Sequence, residues 1–156
     1  MRNVIRALAV IFPALAFYPL CVVPYRANLL LATITQQTLK AQGDDPIAAA
    51  PVARANLQDL LAIERPERLN AGWYLLYGTN CELLSRNAEA VEAYSRALAI
   101  DQRPEIYVHR GMLLLQLGRV DDAVHDLATA ARFNPAVVYD LSGDLRERVA
   151  AASRVR

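Results

Sequence analysis

The sequence predicts an all-α protein: an N-terminal transmembrane helix, then a short solenoid of stacked helical hairpins, closed by a C-terminal capping helix. Three observations predict this fold class. First, two units repeat with a period of 33 residues between positions 71 and 137, and such self-similarity is typical of stacked helical pairs. Second, apolar residues recur at helical spacing in the flanking segments. Third, nineteen consecutive residues near the N-terminus carry no charge.

Residues 1–26 are predicted to be a transmembrane signal anchor, with lipid contact through residues 7–25. As a helix, this uncharged run would span ~28 Å, about the thickness of the hydrocarbon core of a bilayer. Arg2 and Arg6 precede the run and only Arg26 follows it closely. Because cytoplasmic flanks are enriched in Lys and Arg, we expect a single-pass protein of a bacterial inner membrane with its repeats on the periplasmic side.

Other interpretations of the N-terminal segment remain open. A cleaved secretory signal has a plausible site at residues 14–16, although the apolar run before it is short. A lipoprotein signal would use Cys21, which the bulky Leu20 precedes. A buried helix of a soluble protein would have to accommodate three prolines without a polar face.

Residues 27–70 are predicted to form a degenerate first hairpin. A helix is expected from Ala27 to Gln42. Asp45 and Pro46 suit the N-cap and first position of the next helix, although Pro51 would delay its start by a turn. That helix would reach residue 63, and residues 65–68 would be the linker. Terminal units of stacked arrays are commonly atypical.

Residues 71–103 and 104–137 are predicted to be two regular hairpins, each with a helix A, a tight turn and a helix B. In the first unit the helices are expected at about residues 72–84 and 88–100, with Asn87 as an N-cap. In the second unit, Gly118 suits a left-handed residue after helix A. The structural residues of the repeat are Gly78, Ala90, Tyr94 and Ala97 in the first unit, and Gly111, Ala123, Leu127, Ala130 and the closing Pro135 in the second.

A glycine recurs at the same place on helix A of both units, as Gly78 and Gly111. Glycine inside a helix costs about 1 kcal/mol relative to alanine, so its recurrence implies a close approach to another helix. Tyr94 and Leu127 are the large residues expected to fill the remaining space.

These repeated positions resemble the tetratricopeptide repeat, whose pattern combines aromatic, large apolar and small residues on both helices. The second unit departs from it at Arg110, where a large apolar residue is usual, and the first lacks the final proline. The resemblance covers under half of the chain. It implies a fold of stacked helical hairpins and, as function, the binding of another protein.

By the resemblance and by helical spacing, the inner face of the A helices lines a groove that binds a partner. The residues expected there are Leu75, Thr79, Glu82, Glu105, Val108, His109, Met112 and Gln116. A largely apolar groove suits an amphipathic helix or an extended apolar peptide. Alternatively, the apolar helix A of the second unit is covered by helix 27–42, by a membrane partner or by another copy.

Residues 138–156 are predicted to supply the capping helix, at about residues 138–153. Apolar side chains recur along it at helical spacing, at Val138, Leu141, Leu145, Val149 and Ala152. A stacked array needs such a cap because its last unit would otherwise expose an apolar face.

No catalytic, metal-binding or cofactor motif is present in the sequence. His109 and His125 lack a second ligand at helical spacing, and Cys21 and Cys81 have neither disulfide nor metal spacing. Cys81 is expected to be a buried free thiol. The net charge of +1 creates no field that would attract nucleic acid.

We therefore predict a non-catalytic, membrane-anchored scaffold that binds another protein and needs no cofactor, nucleic acid or small-molecule substrate. The partner would be a peptide, a helix or a subunit of a membrane complex. The alternatives are an accessory or assembly subunit of a multi-subunit membrane complex, and an enzyme with an unrecognised site.

Overall fold

The structure, a computed structural model, describes residues 23–63 and 70–154, and every regular element within these ranges is helical. The all-α prediction is confirmed for this part of the chain. In order, the helices are α1 (Val23–Gln42), α2 (Pro46–Ala62), α3 (Ala71–Leu83), α4 (Asn87–Ile100), α5 (Pro104–Gln116), α6 (Val120–Phe133), a 3₁₀ helix (Pro135–Val138) and α7 (Gly143–Arg154).

The helices stack in chain order, each packing against the next, and α1 packs against α3 as well as α2. One apolar cluster runs from α1 to Ala123 of α6, a second joins α6 to α7, and Leu115 of α5 packs against both. Helix α5 is held between α4 and α6, where Leu113 and Leu114 are buried. The suggestion that helix 27–42 covers α5 is therefore wrong, because α1 lies mainly against α2 and α3.

The predicted signal anchor lies outside the described residues, except for Val23–Arg26, which form the first turn of α1. Among the helices that the structure describes, none is long and apolar enough to cross a membrane. The expected linker at residues 65–68 also lies outside the described ranges.

The repeated glycines lie directly against the large residues of helix B. A Cβ atom on Gly78 would be 2.8 Å from Cε1 of Tyr94, and one on Gly111 would be 2.9 Å from Cγ of Leu127. Both partners are fully buried. The prediction that these glycines permit close packing is confirmed, since any side chain would overlap the ring or the leucine.

The two tight turns are alike. Ser85 and Gly118 both have left-handed backbones, with φ of +54° and +74°, which confirms the prediction for Gly118. The following residue closes each turn, because the Arg86 N–H donates to the Cys81 carbonyl at 2.9 Å and the Arg119 N–H donates to Leu114 at 2.8 Å. These bonds satisfy carbonyls that the end of helix A leaves free.

The predicted N-cap at Asn87 is wrong. Arg86 occupies the N-cap position without a side-chain hydrogen bond, and Asn87 is already the first residue of α4. After the left-handed backbone of Ser85, α4 begins at Asn87, one residue earlier than predicted. The Asn87 amide instead donates to Oε1 of Gln116 on α5, at 2.7 Å.

Helix α2 begins at Pro46, and Pro51 lies inside it. The Asp45 carboxylate accepts a bond from the Ile47 N–H at 3.5 Å, as predicted for the cap. The expected delay of one turn at Pro51 does not occur, because Asp45 and Pro46 already set the first turn.

The capping helix begins later than predicted, at Gly143 rather than at Val138. Gly143 has a φ of +56°, and the preceding chain turns through the short 3₁₀ helix. Arg146 donates to the carbonyls of Tyr139 and Leu141, at 2.8 and 2.6 Å, which this break leaves free. Leu141 and Val149 are buried against α6.

Candidate functional site

The surface built by α3 and α5 carries most of the residues predicted to bind a partner. Five of them have partly exposed side chains, and we call this group the helix A face. It consists of Leu75, Glu82, Val108, His109 and Met112. Met112 is 43% exposed, so apolar surface is open to solvent on this side of the stack.

The three remaining predicted residues lie elsewhere. Thr79 is buried behind the face. Glu105 is exposed in the first turn of α5, 3.6 Å from Arg103, and Gln116 accepts the bond from Asn87 at the other end of that helix. Glu105 and Gln116 thus flank the helix A face.

A polar cluster of four side chains joins the two repeat units behind this face. The Tyr94 hydroxyl of α4 donates to Oε2 of Glu82 on α3 at 2.8 Å. Nδ1 of His109 on α5 lies 3.2 Å from the same oxygen. The Thr79 hydroxyl lies 3.1 Å from that of Tyr94 and donates to the Leu75 carbonyl at 2.9 Å. Three helices therefore meet at one carboxylate.

The cluster sets the charge of its members. Burial alone would raise the pKa of Glu82, but hydrogen bonds from His109 and Tyr94 outweigh it and hold that pKa below its usual value. The bond to Glu82 outweighs burial at His109 and raises its pKa. Burial, reinforced by the Glu82 charge, raises the pKa of Tyr94. At neutral pH the cluster thus contains an ionised Glu82 and a neutral Tyr94.

A cavity of about 230 Å³ lies beside this cluster, lined by Gln42 of α1 and by Thr79, Glu82 and Leu83 of α3. Oε2 of Glu82 takes both hydrogen bonds within the cluster. Its second oxygen, Oε1, accepts none from the residues that the structure describes. With respect to this part of the chain, a carboxylate with free acceptor capacity therefore lies on the helix A face.

Sequence reasoning missed this cluster. It placed Glu82 and His109 on one surface but gave Tyr94 only a packing role. The repeat pattern specifies a large residue at that position without its hydroxyl group. The signal available in the sequence was that the first unit has a tyrosine, Tyr94, at the position where the second unit has Leu127.

The departure at Arg110 also has a structural explanation that sequence reasoning missed. Its guanidinium donates through Nε and Nη2 to both oxygens of Asp126, at 2.6 and 2.8 Å, and through Nη1 to Ser95 at 2.9 Å. The Asp126 side chain is only 2% exposed. Arg110 thus joins α5 to α4 and α6 and lies outside the helix A face.

The prediction for Cys81 is confirmed, since it is a buried free cysteine. Burial raises the pKa of its thiol to about 11, so it is protonated at neutral pH. Across residues 23–63 and 70–154, no group of three or more His, Cys, Asp and Glu residues is placed to hold a metal ion.

Comparison with known proteins supports the repeat. Residues 104–137, which span α5 and α6, match the family model of the tetratricopeptide repeat. The chain is similar to a thermophilic tetratricopeptide-repeat protein of Thermus thermophilus, with 25% identity and a TM-score of 0.61 over 94% of this chain and 75% of that one. No curated protein matches the sequence.

A second solved structure is that of PcrH in complex with the chaperone-binding region of PopB. It is 20% identical to this chain, with a TM-score of 0.51 over 82% of this chain and 92% of that one. This likeness concerns the fold alone. Together with the family match, it identifies the helical stack as a tetratricopeptide-like solenoid.

Proposed function

We propose that this chain is a non-catalytic scaffold that binds a protein partner on the helix A face and is held at a bacterial inner membrane by residues 7–25. The proposal rests mainly on the exposure of apolar surface at Leu75, Val108 and Met112, which lie on one side of the stack. The complex of PcrH with a segment of PopB, in a related fold, supports a protein partner.

The mechanism is tethering. A partner confined to the same membrane meets the helix A face at an effective concentration that reaches the millimolar range for short linkers. A modest intrinsic affinity is then sufficient. The exposed apolar side chains suit an amphipathic helix or an extended peptide.

Substitution on the helix A face tests this function. We expect Val108→Asp together with Met112→Asp to abolish partner capture, because two carboxylates would replace apolar contacts. The measurement is purification of the full chain in gentle detergent, followed by mass spectrometry. Leu117→Asp together with Val120→Asp is the matched control, since these exposed apolar residues lie at the C-cap of α5 and at the first position of α6. Unchanged co-purification of the face variant would refute the proposal.

Membrane location is tested separately. We expect the full chain to stay with the membrane after alkaline washing, and alkaline phosphatase fused after Arg156 to be active in the periplasm. Extraction of the chain by alkali would contradict the anchor. A fusion that fluoresces as a cytoplasmic reporter, without phosphatase activity, would contradict the orientation.

An accessory subunit of a membrane complex is the second candidate function. Tyr25 and Leu29 on α1 are 69% and 58% exposed, and they lie at the end of the uncharged run and just after it. Such surface is expected where a helix packs against other membrane subunits. Recovery in a purified complex at a fixed ratio would favour this function over that of a separate scaffold.

A further inference from the structure

We propose that the cavity beside Glu82 receives an arginine or lysine side chain of the partner, so that the bound segment combines an apolar side with one cation. This inference rests on the proposed function, because it assumes that a partner binds at the helix A face. A segment that binds the helix A face would then carry one basic side chain beside its apolar residues.

The Glu82 carboxylate has free acceptor capacity toward the residues that the structure describes. A carboxylate accepts about four hydrogen bonds, and within residues 23–63 and 70–154 Glu82 uses only Oε2, for Tyr94 and His109. Its side chain is 32% exposed and lines the cavity. Arginine and lysine are the natural donors to such an oxygen, since bonds between charged groups are about twice as strong as neutral ones.

The site is also ordered before a partner binds. The bonds from Tyr94 and His109 hold Glu82 in place without using Oε1, so that little side-chain entropy remains to be lost on binding. Leu83 offers an apolar wall to the stem of a long basic side chain. Gln42 also lines the cavity.

The charge around the cavity also favours a cation. The titratable groups that face His109 are Glu82 from α3, Tyr94 from α4 and Glu105 on α5 itself. When His109 is neutral, the Glu82 charge is uncompensated and Glu105 adds to it. When His109 is protonated, it neutralises Glu82. Affinity for a cation should therefore fall as the pH drops through the pKa of His109, which lies above the usual value of about 6.5.

Designed peptides test the inference with the full chain in detergent. The probes are amphipathic peptides of about 15 residues, the length at which helices become stable. Each peptide position is replaced in turn by Arg, Lys, Gln or Glu. At the best position, we expect the Arg and Lys peptides to bind about tenfold more tightly than the Gln peptide, as measured by fluorescence anisotropy. Glu82→Gln should remove this preference, and Glu147→Gln, which makes the same charge change on α7, should keep it.

The pH dependence of this preference is tested with the His109→Gln variant, which retains a hydrogen-bonding side chain that does not titrate. The native chain should lose much of its preference for Arg peptides as the pH is lowered through the raised pKa of His109, and the variant should not. If the pH response persists in the His109→Gln variant, it arises from other groups, and the proposed role of His109 is overturned.

The outcomes separate the two proposals. Equal binding of Arg and Gln peptides, with binding lost in the Val108→Asp, Met112→Asp variant, would overturn the cation site and leave the helix A face supported. Binding of none of the peptides would overturn both. An equal loss of preference in the Glu82→Gln and Glu147→Gln variants would replace the local site with a general charge effect.

Discussion

At Gly78 and Gly111, a single hydrogen in place of a methyl group sets how closely helix A approaches helix B. The neighbouring Tyr94 and Leu127 side chains are fully buried, and the Tyr94 hydroxyl is also held by Glu82 and Thr79. Neither neighbour can move aside without disturbing the core. The repeated glycine is therefore a packing requirement, which outweighs its unfavourable helix propensity.

We expect Gly78→Ala to lower the free energy of unfolding by roughly 1 kcal/mol. Overpacking costs about 1–3 kcal/mol, while alanine recovers about 1 kcal/mol of helix propensity. Urea denaturation measures the difference. Gly43→Ala is the control, because a Cβ there would meet only the Lys40 carbonyl at 3.6 Å. If the two variants are equally stable, the steric argument fails.

At the scale of elements, neighbouring helices are joined by charged and polar bonds as well as by apolar contacts. The bidentate pair between Arg110 and Asp126 joins α5 to α6, and its third bond reaches Ser95 on α4. Desolvation makes such a pair weak evidence for net stability, but removal of one partner leaves a buried charge. The pair therefore makes the contact between these helices specific.

We expect Arg110→Leu to lower the free energy of unfolding by about 3–5 kcal/mol, because Asp126 would be left buried without its partner. Arg110→Leu together with Asp126→Leu should recover most of this loss, since two apolar side chains replace a pair that was costly to desolvate. Urea unfolding of both single variants and the double variant gives the coupling energy. A double variant as unstable as Arg110→Leu would contradict the explanation.

At the scale of the whole molecule, stability is distributed along the stack. The apolar cluster that joins α6 to α7 is distinct from the one that extends from α1 to Ala123 of α6, although Leu115 of α5 packs against both. In stacked repeats each unit is stabilised mainly by its immediate neighbours. A destabilising substitution at one end of the stack should therefore lower the stability of that end first.

We expect Val149→Asp to increase amide hydrogen exchange in α6 and α7 while α2 stays protected, because it places a charge at a fully buried position of the cap. Ala151→Asp, at an exposed position of the same helix, should leave exchange nearly unchanged. A uniform loss of protection in the Val149→Asp variant would show that the stack unfolds as one unit.

Local pattern was sufficient to predict much of this architecture. The 33-residue repeat predicted the helical pairs and the packing role of Gly78 and Gly111. Turn chemistry predicted the left-handed Gly118 and the cap at Asp45. Each of these features depends on spacing along one helix or on the preference of one residue.

Only the tertiary structure decided which side chains meet across helices. The bonds of Glu82 with Tyr94 and His109, the pair of Arg110 and Asp126, and the late start of α7 all fall in this class. Helical periodicity shows which residues share one face of a single helix. The rotation of neighbouring helices about their axes is set by how all of them pack. The sequence by itself therefore determined the stack and its candidate face, and packing decided which carboxylate oxygen on that face accepts no hydrogen bond from the described residues.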